Sequence, residues 1–237
     1  MPHLFDCHTH LLPGVDDGSR NVDESKQLLA MLQEQGITTV IATPHFYANE
    51  QSIQQFLDRR AAACETLKAA LTDMSPPTIL LGAEVRYYHG IARLDGLDRL
   101  CVENTRVLLL EMPMTRWSGS MVRELLEIAN TKNVTLVLAH IERYVRLQPR
   151  EVWEQLLHNG VLMQVNASYF NERRTRRKAL RQLNEGTIHL LGSDCHGVRS
   201  RPPALGQAIE IIRKRLGDFA IQRIGDRAEG LFLATSL

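Results

Sequence analysis

The chain has 237 residues, 44% hydrophobic and 23% charged, with a formal net charge of +1. That length fits one large α/β domain with a sizeable core, and the near-zero charge gives no bulk drive toward nucleic acid or a membrane surface. No apolar run reaches the ~18 residues of a membrane span, residues 1–6 lack the basic-then-apolar pattern of a secretion signal, and Cys7, Cys64, Cys101 and Cys195 form no C-x-x-C pair, which reads as free thiols of a cytoplasmic protein.

In chain order, seven aliphatic or β-branched runs alternate with amphipathic segments. The runs are HLFDCH (3–8), ITTVIATPH (37–45), TILLGAEV (78–85), VLLLEM (107–112), VTLVLAH (134–140), VLMQVN (161–166) and TIHLLGSDCH (187–196). They have the character of strands buried on both faces. A helix is expected over Asp23–Glu34, where Leu28, Leu29 and Leu32 share a face and Gly36 supplies a stop. Further helices are expected over Ser52–Leu71, Gly119–Lys132, Pro149–His158, Thr175–Asn184 and Ala204–Leu216. Alternating β and α elements predict a parallel sheet, and seven units without reversal predict a barrel, in one domain over 1–237. The eighth unit of a standard barrel is missing, because Asp218–Leu237 does not read clearly as strand plus helix.

The chemistry sits where the runs end. Residues 5–18, FDCHTHLLPGVDDG, place Asp6, His8 and His10 on one face of an extended strand, because side chains at i and i+2 point the same way. His8 and His10 close the first run and are followed by Asp16 and Asp17. The later runs end in His45, Glu84, Glu111, His140, Asn166 and the pair Asp194 and His196. Active sites of β/α barrels lie at the C-terminal ends of the strands. His3, His89, His158 and His189 fall elsewhere and read as ordinary histidines. The set holds more donors than one ion needs, and two ions about 3.5–4 Å apart suit phosphate-ester chemistry. Mixed His, Asp and Glu donors suit manganese, iron or zinc better than magnesium.

Arg143 follows His140 by three residues in HIERY, and Arg201 follows His196 by five in HGVRSRPP; a guanidinium grips phosphate oxygens in pairs. Cys195 to Arg201 also reads C-x5-R, the spacing of thiolate phosphatases. Strand alternation turns that thiol away from Asp194 and His196. The basic run ERRTRRK, Glu172–Lys178, reads either as a solvated helix start or as a surface that steers an acidic partner.

The strings DCHTHLLPGVDDG, TPHF, GAEV, LLLEM, LAHIERY and GSDCHGVRSRPP together resemble the PHP (polymerase and histidinol phosphatase) superfamily. More narrowly, they are similar to the manganese-dependent tyrosine-protein phosphatases of bacterial capsule and exopolysaccharide loci, in order from about residue 4 to 215. The resemblance implies a distorted seven-stranded TIM-like barrel, (β/α)7, with up to three ions, manganese foremost and iron or zinc as alternatives. It implies that His8, His10, Glu84 and Asp194 hold one ion, that Glu84 bridges to a second on Glu111 and His140, and that Asp17, His45 and His196 hold a third. Asp16 is exchangeable with Asp17 in this scheme, and Asp6 would orient a ligand histidine. Arg143 and Arg201 would bind the substrate phosphate. The implied partner is a phosphotyrosine protein, the tail of a bacterial tyrosine autokinase, with no nucleic acid and no membrane insertion. The alternative is a PHP enzyme for histidinol phosphate or another small phosphoester. Tyrosinate, whose conjugate acid has a pKa of about 10, leaves without a dedicated general acid, and the sequence offers no obvious spare one. The segment VRYYHG after Glu84 and the last twenty residues depart from the family pattern.

Overall fold

Nine short strands carry the sheet in a computed structural model that describes residues 3–233 except 73 and 132. They are β1 (Phe5–Thr9), β2 (Thr39–Ala42), β3 (His45–Phe46), β4 (Thr78–Leu81), β5 (Glu84–Arg86), β6 (Val107–Glu111), β7 (Thr135–Leu138), β8 (Leu162–Asn166) and β9 (Leu190–Gly192). The ladders run β1-β2-β4 and β3-β5-β6-β7-β8-β9, every pair parallel.

The seven unbroken strands expected from sequence are corrected here. The second and third runs are each split, at Thr43-Pro44 and at Gly82-Ala83. Pro44 has no N–H to give the ladder. Across the breaks, Gly82 N–H donates to the Ala42 carbonyl at 2.8 Å and Glu84 N–H donates to the Pro44 carbonyl at 3.0 Å, so both halves stay aligned while the sheet bends. Beyond β9, Asp194 N–H donates to His8 O at 2.8 Å and His10 N–H donates to Cys195 O at 3.0 Å, which draws the last run against the first. The result is a curled parallel sheet. Gly192 lets this approach happen: a Cβ there would lie 2.6 Å from His8 Cβ and 2.7 Å from Gln164 Nε2.

Among the described residues eight α-helices cover the sheet: α1 (Val22–Glu34), α2 (Ile53–Ala69), α3 (Gly119–Thr131), α4 (Arg150–His158), α5 (Ser168–Asn171), α6 (Arg173–Asn184), α7 (Leu205–Leu216) and α8 (Asp218–Phe232). Lys132, the expected end of the third helix, lies outside the described residues. α1 starts because the Asn21 side chain accepts the Glu24 N–H, and α2 because Ser52 and Gln55 form a reciprocal capping box. Leu28, Leu29 and Leu32 are fully buried against the strands, each burial worth roughly 1.5–3 kcal/mol.

The segment after α7 carries the helix α8 and, among the described residues, no strand, so it adds no eighth β/α unit; residues 234–237 lie outside the described residues. Two glycines at 225 and 230 lower the intrinsic helicity of α8. Packing overrides that cost. Ala220, Ile221, Gly225, Ala228 and Phe232 form its buried face. Gly225 approaches so closely that a Cβ would lie 2.7 Å from the His3 carbonyl oxygen. Ala228 and Phe232 join Phe5, Cys7, Ile41, Val107, Leu109, Val137, Ala139 and Leu190 in a second apolar cluster, apart from the main core under the helices. No helix among the described residues is long and apolar enough to cross a membrane.

Candidate metal centre

The ends of the strands bring His8, His10, Asp17, His45, Glu84, Glu111, His140, Asp194 and His196 together. His8 Nε2 and His10 Nε2 lie 3.1 Å apart. Glu84 Oε2 lies 3.1 Å from the first and 3.2 Å from the second, and Asp194 Oδ1 lies 3.6 and 3.4 Å from them. Ligand atoms held at about 2.1 Å around one ion sit about 3.0–3.4 Å from each other, so these four atoms have the spacing of one coordination shell. Glu84 Oε1 turns the other way, 2.8 Å from His140 Nε2, and Glu111 Oε1 lies 3.7 Å from that same nitrogen. On the third side, Asp17 Oδ1 lies 3.6 Å from His45 Nε2 and 3.5 Å from His196 Nε2. His45 Nδ1 is 3.1 Å from Glu84 Oε2, so His45 faces the Glu84 side as well.

The imidazoles are held for this purpose. Gln164 Oε1 accepts the His140 backbone N–H at 2.7 Å, which fixes the amide's orientation. The same oxygen lies 3.3 Å from His8 Nδ1, so that nitrogen carries the proton and Nε2 keeps its lone pair. His10 Nδ1 donates to Asp16 Oδ2 at 2.6 Å, and His196 Nδ1 donates to the Asp194 carbonyl at 3.0 Å. All three therefore aim an unprotonated Nε2 inward, the arrangement seen around bound metals. The Tyr144 hydroxyl lies 3.1 Å from His140 Nδ1 and braces that ring.

Electrostatics favour ionised Glu84 and Asp194 and neutral His45, His140 and His196. Burial alone would raise the Glu84 carboxyl, but His8, His10 and His140 hold it well below the usual range. Burial also works against ionised Asp194, yet His8 and His10 lower it. Burial drives His45 and His140 down, and burial with His10 and Arg201 drives His196 to about 4. These three imidazoles are kept neutral and the carboxylates ionised, as ligands must be. His8 and His10 are the exceptions: burial lowers both, but Glu84 and Asp194 outweigh that and raise His8, and Asp16, Asp194 and Glu84 raise His10 well above its ordinary value. Glu111 is raised by burial and by Glu84, and its buried Oε2 has no hydrogen-bond partner among the described residues. Such crowding of carboxylates and orphaned donors is what a cation relieves.

The ambiguity between Asp16 and Asp17 resolves by geometry. Asp16 accepts from His10 Nδ1, His45 N–H and Gly18 N–H, so its oxygens are occupied. Asp17 is 69% exposed and points at His45 and His196. Asp6 makes no hydrogen bond to an imidazole ring among the described residues and meets His8 through its backbone. Its Oδ1 accepts the Ser193 N–H at 2.7 Å and the His8 backbone N–H at 3.3 Å, pinning the first run to the last. Sequence reasoning passed over Gln164 and Tyr144. Gln164 lies two residues before Asn166 on the same strand face, so strand alternation was the available signal.

Arg143 and Arg201 both reach Asp194 Oδ2, Arg143 at 2.6 Å, while Asn166 Nδ2 donates to that oxygen at 2.8 Å. The guanidiniums are 30% and 43% exposed, so both border the centre and solvent. Five non-glycine residues among those described have positive φ. Asn104 and Asn133 tolerate it as turn residues, but His140 (φ 32°), Asp194 (54°) and Arg201 (56°) all belong to the centre. Strain concentrated there is paid for by the rest of the fold. Cys195 is fully buried, and burial pushes its thiol up to about 12, so it offers no thiolate. His189, read as ordinary, is buried just before β9, where its Nδ1 accepts the Met163 N–H at 3.0 Å.

This centre sits in a chain whose residues 4–229 match the family described as Capsular polysaccharide synthesis, CpsB/CapC. The chain belongs to the CpsB/CapC family. It is 32% identical over 235 residues to the tyrosine-protein phosphatase CpsB of Streptococcus pneumoniae, covering 90% of this chain and 91% of that one. It is 28% identical over 240 residues to the tyrosine-protein phosphatase YwqE of Bacillus subtilis, covering 95% and 90%. Its fold is similar to that of solved metal-dependent tyrosine phosphatases, YwqE and CpsB, with a TM-score of 0.85 at 24% identity over 99% of this chain and 96% of that one. A histidinol phosphate phosphatase from Lactococcus lactis, solved with zinc, L-histidinol and phosphate, shares the fold more distantly, with a TM-score of 0.56 at 13% identity over 89% of this chain and 93% of that one.

Proposed function

We propose that this CpsB/CapC chain is a metal-dependent phosphomonoesterase that hydrolyses phosphotyrosine on protein, on a distorted (β/α)7 barrel. The observation that carries it is the cluster of His8 and His10 with Glu84 and Asp194, in which each imidazole nitrogen lies 3.1–3.6 Å from the other and from both carboxylates, the spacing of one ion's ligands. Glu84 would also serve a second ion with Glu111 and His140, and Asp17, His45 and His196 would hold a third. Manganese suits this mixed set of imidazoles and carboxylates, with iron or zinc as alternatives. When bound, such ions lower the pKa of water and neutralise phosphoryl oxygens.

The chain's own groups do the rest. Arg143 and Arg201 exchange part of their grip on Asp194 for the substrate's phosphoryl oxygens and stabilise the charge that grows there. Gln164, Asp16 and the Asp194 carbonyl hold three imidazoles in one tautomer throughout. Tyrosinate leaves unaided. The proposed protein substrate is the phosphotyrosine tail of a tyrosine autokinase acting in capsule synthesis.

Phosphate release from a phosphotyrosine peptide and from histidinol phosphate, measured side by side, tests the reading. Peptide turnover should vanish on chelator treatment and return with manganese. Preference for histidinol phosphate would keep the centre and replace the substrate; turnover that survives complete metal removal would overturn the centre.

A further inference from the structure

A groove of about 630 Å³ runs down the outer wall between α4 and α6. Its floor includes Ile141 and Met163, and Trp153 forms part of one wall. It begins beside the turn Ile141–Arg143, which carries one of the two proposed phosphate-binding arginines. Lys178 and Arg181 of α6 line it. With Arg174 and Arg177 they stand at i, i+3, i+4 and i+7, the spacing of a single helix stripe. Arg146, exposed on the loop before α4, adds to the positive field at Lys178: burial first, then Arg146 and Arg181, lowers the Lys178 ammonium.

Most of these cations have no counterion. Arg181 lies 3.9 Å from Glu185 and Arg150 pairs with Glu154 at 2.6 Å. Arg146, Arg174, Arg177 and Lys178 have no hydrogen-bond or ion-pair partner among the described residues. Nothing in α6 itself asks for them. Positive charge in the first turn of a helix opposes the helix dipole, and α6 carries Arg173 and Arg174 there with no acidic residue and no side-chain cap. Arg176 is different: its guanidinium donates to the carbonyls of Phe170 at 2.9 Å and Asn171 at 2.6 Å, a structural task.

We propose that the α4/α6 groove is a docking site for an acidic polypeptide segment flanking the phosphotyrosine of the protein substrate. The occupant follows from charge complementarity: Glu154 and Glu185 in the groove offset Arg150 and Arg181, while Lys178 in the groove and Arg146, Arg174 and Arg177 beside it remain unpaired among the described residues, and the groove reaches Ile141 in the turn that carries Arg143. A segment lying there adds binding energy remote from the reacting phosphorus and speeds encounter. The docking claim rests on the phosphatase reading for its biological sense, and the test separates the two.

Three substrates are compared with the full chain: a phosphotyrosine peptide with acidic flanks, the same peptide with neutral flanks, and p-nitrophenyl phosphate. At low salt the acidic peptide should show kcat/KM about tenfold above the neutral one, with the gap closing as salt shortens the screening length. The combined Arg174→Glu, Arg177→Glu and Lys178→Glu variant should lose that preference and hydrolyse p-nitrophenyl phosphate within about twofold of wild type. The milder Arg174→Gln and Arg177→Gln pair, which keeps helix propensity, should lose part of it. Equal loss on all three substrates, or no preference in the wild type, overturns the proposal. Fluorescence anisotropy with an unphosphorylated acidic peptide needs no turnover. If the chain hydrolyses none of the substrates, the phosphatase reading fails, while peptide binding that disappears in the triple variant still sustains the groove. Absence of peptide binding, or capture of single-stranded oligonucleotide or phosphatidylserine vesicles instead, overturns it.

Discussion

The same strands carry two unlike layers. At their C-terminal ends lie buried imidazoles and carboxylates; further down, alternate residues pack as aliphatics. β1 contributes Phe5 and Cys7 to the apolar cluster and His8 to the centre, and β6 contributes Leu109 to the cluster and Glu111 to the centre. Burying charge is costly unless it is paired or bound to a cation. Burying Leu and Phe is favourable by roughly 1.5–3 kcal/mol each. The upper layer is therefore tolerated because the lower one and the helices hold the frame, and damage to each should be read by different measurements.

The largest expected effect lies in the upper layer. Glu84→Gln keeps the volume but removes the charge facing His8, His10, His45 and His140. It should cut kcat/KM for a phosphotyrosine peptide by on the order of a thousandfold with the circular dichroism spectrum retained. Near-normal turnover would detach the centre from the chemistry. In the lower layer, Phe232→Ala should cost about 3–5 kcal/mol in urea unfolding, while folded protein keeps its specific activity. Loss of activity without loss of stability would show that the layers are not separable.

A smaller effect should sharpen the comparison by pH. Burial, then Arg227, depresses His189 to about 4, against about 6.5 in an unfolded chain. The folded state thus binds fewer protons between these values. The associated stability is fully present above pH 6.5 and is lost as pH falls toward 4, by up to roughly 3 kcal/mol. His189→Gln should flatten the stability curve in that window; an unchanged slope would place the titration elsewhere. The smallest change should come from Cys195→Ser, with kcat/KM within about twofold of wild type, because the buried thiol is neutral and faces away from the centre.

The sheet's alternation and six of the helices were legible because hydrophobic period and helix stops are local properties. α8 was not. Its glycines argue against a helix until the close contact at Gly225 and the apolar seat of Phe232 are known. The breaks at Thr43-Pro44 and Gly82-Ala83 had a local signal in Pro44 and Gly82, but the apolar runs continue past both, and only the bend of the sheet shows where each run divides.

From the sequence alone came the residue types of the centre, because histidines and carboxylates recur at strand ends, where a parallel β/α fold gathers them. Also local was the rejection of Cys195, since alternation along a strand fixes which way a side chain points. The tertiary structure decided what depends on distance through space. It separated Asp16, occupied by His10 and two backbone N–H groups, from Asp17, which faces His45 and His196. It set Asp6 against the backbone of Ser193 and His8, and it brought Gln164 to His8, 156 positions away in the chain. Period and composition record what each residue prefers nearby; which distant atoms meet is set only when the sheet curls and packs.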